Sequence, residues 1–382
     1  MTLSKGYPAR RPQMGPTGAG WRGVVYHGGQ QRANRPIARF SGCLHLRYNN
    51  DFSHLSDSSV FSKSGGDFCS LTGVSSLSTD FQRLRKSCVD MTSLALVSDI
   101  HGNLPAFEAV VADIQAHSPD AVYVLGDIVH GCPWSAEVLD LLLDLGWPML
   151  MGNHDDAILQ LGTSRMEPRY VDRGRYAMLW WTRASLSARH ITALTGLPLA
   201  FTLNFPQAPP LFLFHGIPGK FSVGFRPDSP EEWVVRRLAG IAETTVAGGH
   251  THEPMVRLVS RRLVGRWTVI NSGSIGASYD GDVRAAYAWL AGDARGWRAE
   301  IRRVSYDMRL VEAGYRESGL MASGGVMGEM FLRSVLSALP WVSDFAWWLR
   351  EQPADVLVDI RRAQQAYDAA YGPGHWAFPY VS

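Results

Sequence analysis

Leu94-Ala95-Leu96-Val97-Ser98-Asp99-Ile100-His101-Gly102-Asn103 is the stretch from which the rest of the chain can be read. Leu94 to Ser98 is a short apolar run, the length of a buried strand. It ends at Asp99-x-His101. Residues two apart on an extended strand end point to the same side, so this pair can grip one ion. Asn103 then reads as the cap of a helix with Leu104, Phe107, Val110, Val111 and Ile114 on one face.

The same unit repeats downstream. Ala121 to Leu125 reads as a second buried strand, ending at Gly126-Asp127, and a helix runs through Val138 to Leu143. Pro148-Met149-Leu150-Met151 reads as a third strand, ending at Gly152-Asn153. Strand, helix, strand, helix, strand implies right-handed crossovers and a parallel sheet. A helical region follows around Tyr176 to Ala188, with the pair Trp180-Trp181. Leu211 to Phe214 is a strand ending at His215. Ser229-Pro230-Glu231-Glu232 is a helix start with Ser229 as cap and Pro at the first helical position. Thr245-Val246-Ala247 delivers Gly249-His250. Residues 255–260, 267–271, 285–290 and 297–304 read as further strands, more antiparallel in style, of a second sheet.

Five strands therefore each end in a residue able to bind metal, and in layered α/β proteins sites collect at the carboxyl ends of strands. The set is Asp99, His101, Asp127, Asn153, His215, His250 and His252: two carboxylates, four imidazoles and one amide, with no thiolate. Such donors suit two adjacent first-row ions better than a structural zinc site. Each fragment alone has a plainer reading: a chance D-x-H, a turn aspartate at Asp127, a core histidine at His215. Asp127 has lone pairs enough to bridge two ions. Asn153 is a weak neutral donor, sensible where negative charge is already supplied. His154 and Asp155 read as a catalytic proton donor and its orienting partner. His250 and His252 repeat the spacing of the first pair, and Gly248-Gly249 lets the backbone approach closely.

In this order and spacing, D-x-H, G-D, G-N-H-D, H and G-H-x-H, residues 92–306 resemble the calcineurin-like metallophosphoesterase superfamily. Trp181-Thr182-Arg183, Leu197-Pro198, His215-Gly216-Ile217-Pro218, Gly249-His250-Thr251-His252-Glu253-Pro254 and Asn271-Ser272-Gly273-Ser274 resemble its small bacterial, phosphodiesterase-type branch. The resemblance implies an α/β fold, a four-layer α/β/β/α sandwich of two mixed sheets flanked by helices. It implies two divalent or trivalent ions (Mn, Fe, Zn or Ni). Asp99, His101 and His252 would hold the first, Asn153, His215 and His250 the second, and Asp127 would bridge them. It also implies hydrolysis of a phosphodiester or phosphomonoester by metal-activated hydroxide, with His154 at the phosphoryl group. In the protein phosphatase branch the second motif continues G-D-x-V-D-R-G. Here it reads Gly126-Asp127-Ile128-Val129-His130-Gly131-Cys132, which lacks that Asp and Arg. The departure weighs against a phosphoprotein or dinucleoside polyphosphate phosphatase, unless an arginine such as Arg175 or Arg183 substitutes. His130 is either a loop residue contacting substrate or an exposed polar residue. A non-catalytic protein-binding scaffold is the competing class, but scaffolds of this fold have typically lost ligands, and here all are intact.

At 382 residues the chain can bury a large core, and its net charge of +2 gives no specific nucleic-acid signal. No stretch approaches the ~20 apolar residues of a membrane span. Cys43, Cys69, Cys88 and Cys132 form no zinc or disulfide pattern, so reduced thiols and a cytoplasmic location are expected. Residues 1–90 stand apart. The first 50 hold eight basic residues, Lys5 to Arg47, and no acidic one, and 52–79 are rich in Ser and Gly. Disorder is expected there, as a flexible extension, a translated stretch without function, or an organelle transit peptide. The metallophosphoesterase domain is placed at 91–308 and a C-terminal helical extension at 309–382. Val356, Ile360, Ala363, Tyr367 and Ala370 form its stripe, which Gly372-Pro373 stops, with aromatic Trp341, Phe345, Trp347 and Trp348 upstream. This extension is a packed layer, a homo-oligomer interface or a cap over the site. The expected substrate is a small or nucleotide-like phosphate ester.

Overall fold

A computed structural model describes residues 24–27, 91–260, 265–353 and 359–370. The strands are β1 (Val24–His27), β2 (Thr92–Val97), β3 (Ala121–Val124), β4 (Ala200–Phe205), β5 (Ala208–Phe214), β6 (Thr245–Gly248), β7 (Met255–Ser260), β8 (Arg266–Asn271), β9 (Ala285–Asp293) and β10 (Gly296–Val304). They form two mixed sheets, one ordered β1-β4-β5-β6-β8-β7 and the other β10-β9-β2-β3. The helices are α1 (Leu104–His117), α2 (Ser135–Leu145), α3 (Asn153–Gln160), α4 (Ala177–Ser185), α5 (Ala188–Thr195) and α6 (Glu231–Arg237). The C-terminal ones are α7 (Met308–Glu317), α8 (Leu320–Ser323), α9 (Gly325–Ser337), α10 (Trp341–Trp348) and α11 (Ile360–Ala370).

Side-chain alternation builds the layers. On β2, Leu94 and Leu96 join Leu211 and Leu213 of β5 between the sheets. Ala95 and Val97 turn the other way, onto Phe107, Val110 and Ile114 of α1 and Val138, Leu139 and Leu142 of α2. Phe214, Val246 and Val269 leave the far side of the six-stranded sheet to meet Trp233 and Val234 of α6. The result is helices, sheet, sheet, helices. Each fully buried Leu or Phe here contributes roughly 1.5–3 kcal/mol.

The sheets divide the strands differently from the sequence reading. β9 pairs with β2 and β10 with β9, neither with β7 or β8, so β2 lies centrally between β9 and β3. β2 is apolar on both faces because helices cover one and the other sheet covers the second, as is usual for a central strand. Residues 148–151 give only a bridge, Val124 to Met149. Pro148 has no N–H for the ladder. The helix expected over 176–188 is two: α4 ends before Leu186, and Ser187 caps α5 by accepting the His190 N–H. Ser229 caps no helix, since its hydroxyl accepts from Arg226 N. β1 and β4 had no counterpart in the sequence reading; the rest of the N-terminal extension lies outside the described residues.

The described C-terminal helices belong to the same compact unit as the sheets. Val311, Tyr315, Phe331, Leu332 and Val335 pack on Cys132, Met178 and Ala277. Val326, Met330, Phe345, Trp348, Ala363 and Tyr367 close a second cluster behind them. Ala363 and Tyr367 are thus buried, whereas Ala370 is exposed and Val356 and Gly372-Pro373 lie outside the described residues. No helix among the described residues is long and apolar enough to cross a membrane.

Candidate metal centre

The donors converge because the loops after the strands are laced together. Asp99 N donates to Gly126 O at 3.0 Å, His101 N to Asp127 O at 3.0 Å, and Gly276 N to Asp99 O at 2.8 Å. The backbone turns left-handed at Asp99 (φ 53°), His101 (51°), Asp127 (51°), His130 (73°), His250 (70°) and His252 (59°). Such turns swing successive side chains inward at a conformational cost, which clusters at functional sites. Gly249 is needed for close approach: a Cβ there would collide with Ser98 Oγ and Asp99 Oδ2.

Asp99, His101 and His252 meet as one set. His252 Nε2 lies 3.4 Å from Asp99 Oδ1, and His101 Nε2 lies 3.8 Å from it. His101 Nδ1 donates to His130 O at 2.7 Å and His252 Nδ1 to Ala277 O at 2.5 Å. A carbonyl can only accept, so Nδ1 carries the proton and Nε2 is left as a donor atom for metal. Asp127, His215 and His250 form the second set. His215 Nδ1 donates to Leu125 O at 2.8 Å, and its Nε2 lies 3.2 Å from both Asp127 Oδ2 and Asn153 Oδ1. Asp127 Oδ2 is also 3.8 Å from His101 Nε2. One carboxylate oxygen thus faces both sets.

Electrostatics fit ions at these points. Asp99 Oδ1 and His250 Nδ1 are buried without a hydrogen-bond partner. Burial alone would raise the Asp99 carboxyl, but the His252 and His215 imidazoles outweigh it and hold it at about 2. Burial likewise opposes the lowering of Asp127, which His215 and His154 carry well below the usual range. Burial pushes His101 and His250 down to about 3, the neutral form that a ligand needs. His215 goes the other way: against burial, Asp127 raises it to about 9. A proton there supplies the positive charge that an ion would supply.

His154 opens α3, half-buried, its N–H on Asp127 Oδ1 at 2.8 Å. Burial lowers its imidazole from the ordinary value. The structure corrects the reading of Asp155 as its orienting partner. Both Asp155 oxygens are taken by backbone: Oδ1 accepts from Ile128 N (3.0 Å) and Val129 N (3.2 Å), and Oδ2 from Gly152 N (2.9 Å). Opening a helix, Asp155 points back to its start, as a capping carboxylate does. His130 is not exposed either. It is buried, its carbonyl holds His101, and its ring lies 4.9 Å from that of His154.

Some residues here were invisible in the sequence. Phe331 of α9 packs its ring 5.4 Å from that of His101. Tyr279 stacks on His252 at 4.4 Å and 20°. Tyr315 of α7 donates to Gly131 O at 2.6 Å. No local motif marks them, because long-range packing alone brings them in. A cavity of about 240 Å³ adjoins His215, lined among others by Phe212, Phe214, Ile217, Lys220 and Phe221.

Imidazoles and carboxylates gathered at the strand ends of a double-sheet sandwich are the arrangement expected of a metallophosphoesterase. The family model described as calcineurin-like phosphoesterase matches residues 92–254 of the chain. An uncharacterized protein of Methanocaldococcus jannaschii is 27% identical over 231 residues, 56% of this chain and 88% of the relative. A metallophosphoesterase structure from Sphaerobacter thermophilus aligns with a TM-score of 0.52 at 25% identity, covering 65% of this chain and all of its own. A hypothetical protein of Pyrococcus horikoshii shares the fold with a TM-score of 0.54 at 20% identity, over 65% of this chain and 98% of its own. A symmetrical bis(5'-nucleosyl)-tetraphosphatase of Acidovorax is 40% identical over 110 residues, 26% of this chain and 39% of that relative.

Proposed function

We propose that the chain hydrolyses a small phosphate ester at a two-ion centre, with Asp99, His101 and His252 holding one ion, Asn153, His215 and His250 the other, and Asp127 shared. The observation that carries this reading is the single oxygen Asp127 Oδ2, which faces His101 on one side and His215 on the other. Two ions would supply a water acidified toward neutral pH and positive charge against the phosphate oxygens. Manganese or iron suits the donors, and zinc or nickel is compatible.

The protein's own groups do the rest. His154 stands beside the shared carboxylate and donates a proton toward the leaving oxygen or hydrogen-bonds the phosphate. Asp155 is a positioning residue, fixing Gly152, Ile128 and Val129 around Asp127. The cavity of about 240 Å³ beside His215 gives space for the organic part of the ester. A diester is preferred over a monoester. Gly131 weighs against a tetraphosphatase-like or phosphoprotein substrate. That branch has arginine there, and here a Cβ would meet Phe331 at 2.5 Å. The intact donor set weighs against a scaffold role. Cys132, a fully buried free thiol, accords with a reducing, cytoplasmic setting.

The test is hydrolysis of bis-p-nitrophenyl phosphate and p-nitrophenyl phosphate with manganese, by wild type and Asp127→Asn. Wild-type rates no higher than the variant's with both esters would sink the reading, and cleavage of the monoester alone would overturn the diester preference.

A further inference from the structure

Among the described residues, the C-terminal helices meet the centre on the side of the first donor set. Phe331 of α9 backs the His101 ring and fills the space over Gly131. Tyr315 of α7, fully buried, ties down the Gly131 carbonyl, one residue from the His130 carbonyl that fixes His101 Nδ1. Tyr279 backs His252 and packs into the cluster formed by Val311, Tyr315, Phe331 and Val335 of the helical layer. Both imidazoles of the first donor set are therefore backed by aromatic rings fastened to this helical layer. The second set is held otherwise. His215 is fixed by Leu125 O, its ring meets that of His250 edge-on at 5.3 Å, and Asn153 completes it from the start of α3.

We infer that the C-terminal helical layer sets the ion affinity of the Asp99–His101–His252 set independently of the other, with Phe331, Tyr315 and Tyr279 as positioning residues. The inference rests on the two-ion reading above. An imidazole rotates about its Cβ–Cγ bond unless packing stops it. Residues that orient a ligand in this way typically govern metal affinity by roughly 10–100-fold. Deleting the Phe331 ring opens a cavity into which His101 can turn, and interiors at crystal-like density leave it no such freedom otherwise.

The experiment titrates the metal-freed full chain with Mn²⁺, read by calorimetry and by electron paramagnetic resonance. Wild type should take two ions with a coupled-pair signal. Phe331→Ala should weaken one of the two by roughly 10–100-fold and leave the other unchanged. Its remaining single-ion spectrum should match that of His252→Asn and differ from that of His215→Gln. Phe331→Leu should restore most of the lost affinity. Should Phe331→Ala fail to fold, Tyr315→Phe, which removes one hydroxyl, must weaken the same ion. Two unchanged affinities in the folded variant, or equal losses at both ions, would overturn the inference alone. A wild type that takes one ion would overturn the two-ion reading and this inference with it.

Discussion

His101 and His252 face each other Nε2 to Nε2 across 3.1 Å, after each has given its Nδ1 proton to a backbone carbonyl. With Nδ1 so committed, both Nε2 atoms point into one small space, with the Asp99 carboxylate beside them. A metal ion seated there would meet two nitrogen lone pairs and a carboxylate oxygen at once.

Manganese should therefore stabilise the fold. At free ion one hundredfold above the dissociation constant, each site adds about 2.7 kcal/mol. Thermal unfolding with and without the ion measures this. His252→Asn should lose the first site's share, and an unchanged increment in that variant would refute the assignment.

Acid should destabilise the metal-free protein in a window set by His101. Burial first, and His252 second, lower its pKa to about 3, against 6.5 for the exposed group. Between those values the unfolded chain binds a proton that the folded one refuses. This contribution to stability is full above pH 6.5 and is lost as pH falls toward 3, by at most about 1.4 kcal/mol per pH unit. Denaturant midpoints across pH 3–7 should fall more steeply for wild type than for His101→Asn; parallel curves would contradict the assignment.

His154→Gln should lower kcat by roughly 10²–10⁴-fold, the usual range for a general acid, while both ions stay bound. Metal analysis beside steady-state kinetics separates this from a ligand role. Loss of an ion from the variant would move His154 into the donor set.

Asp155→Ala should cost about 3 kcal/mol or more, because three buried amides lose their acceptor at roughly 1–3 kcal/mol each. Asp155→Asn keeps one acceptor oxygen and should cost less. A pH-rate profile unmoved by Asp155→Asn would support the positioning role over a chemical one.

Gly131→Arg, which writes part of the phosphatase motif into this chain, should fail to install a phosphate-binding arginine. The backbone is left-handed there (φ 137°), and Phe331 occupies the space. The variant should lose several kcal/mol, more than the ~1–3 kcal/mol of backbone strain alone. Adding Phe331→Ala should recover the steric part but not the backbone part.

Of this centre, the donors were legible and their supports were not. Asp99, Asp127, His215 and His250 follow apolar runs that read as strands, and strand ends gather where sheets deliver them. Asn153 also lies beside them, although its run of 148–151 makes a single bridge. Pairing partners, by contrast, are set by long-range contacts, so β9 and β10 fell into the wrong sheet. Asp155 looked like the partner of its neighbour His154. Yet adjacent residues on a helix point about 100° apart, which turns its carboxylate to the backbone. Phe331 lies 230 positions after His101 in a stripe that reads as ordinary helix core, and nothing local distinguishes it.

The left-handed turns have a bearing on how any variant of this centre is read. Aspartate, asparagine and histidine are the side chains that tolerate that region best after glycine. The chemical alphabet for gripping an ion and the conformational alphabet for bending the chain here are the same few letters. An alanine at Asp99, His101, Asp127, His250 or His252 removes a donor and strains a bend at once, and lost activity then has two causes. Asparagine keeps the bend while weakening the donor, and glycine keeps the bend while removing the donor outright. The difference between those two measures coordination alone.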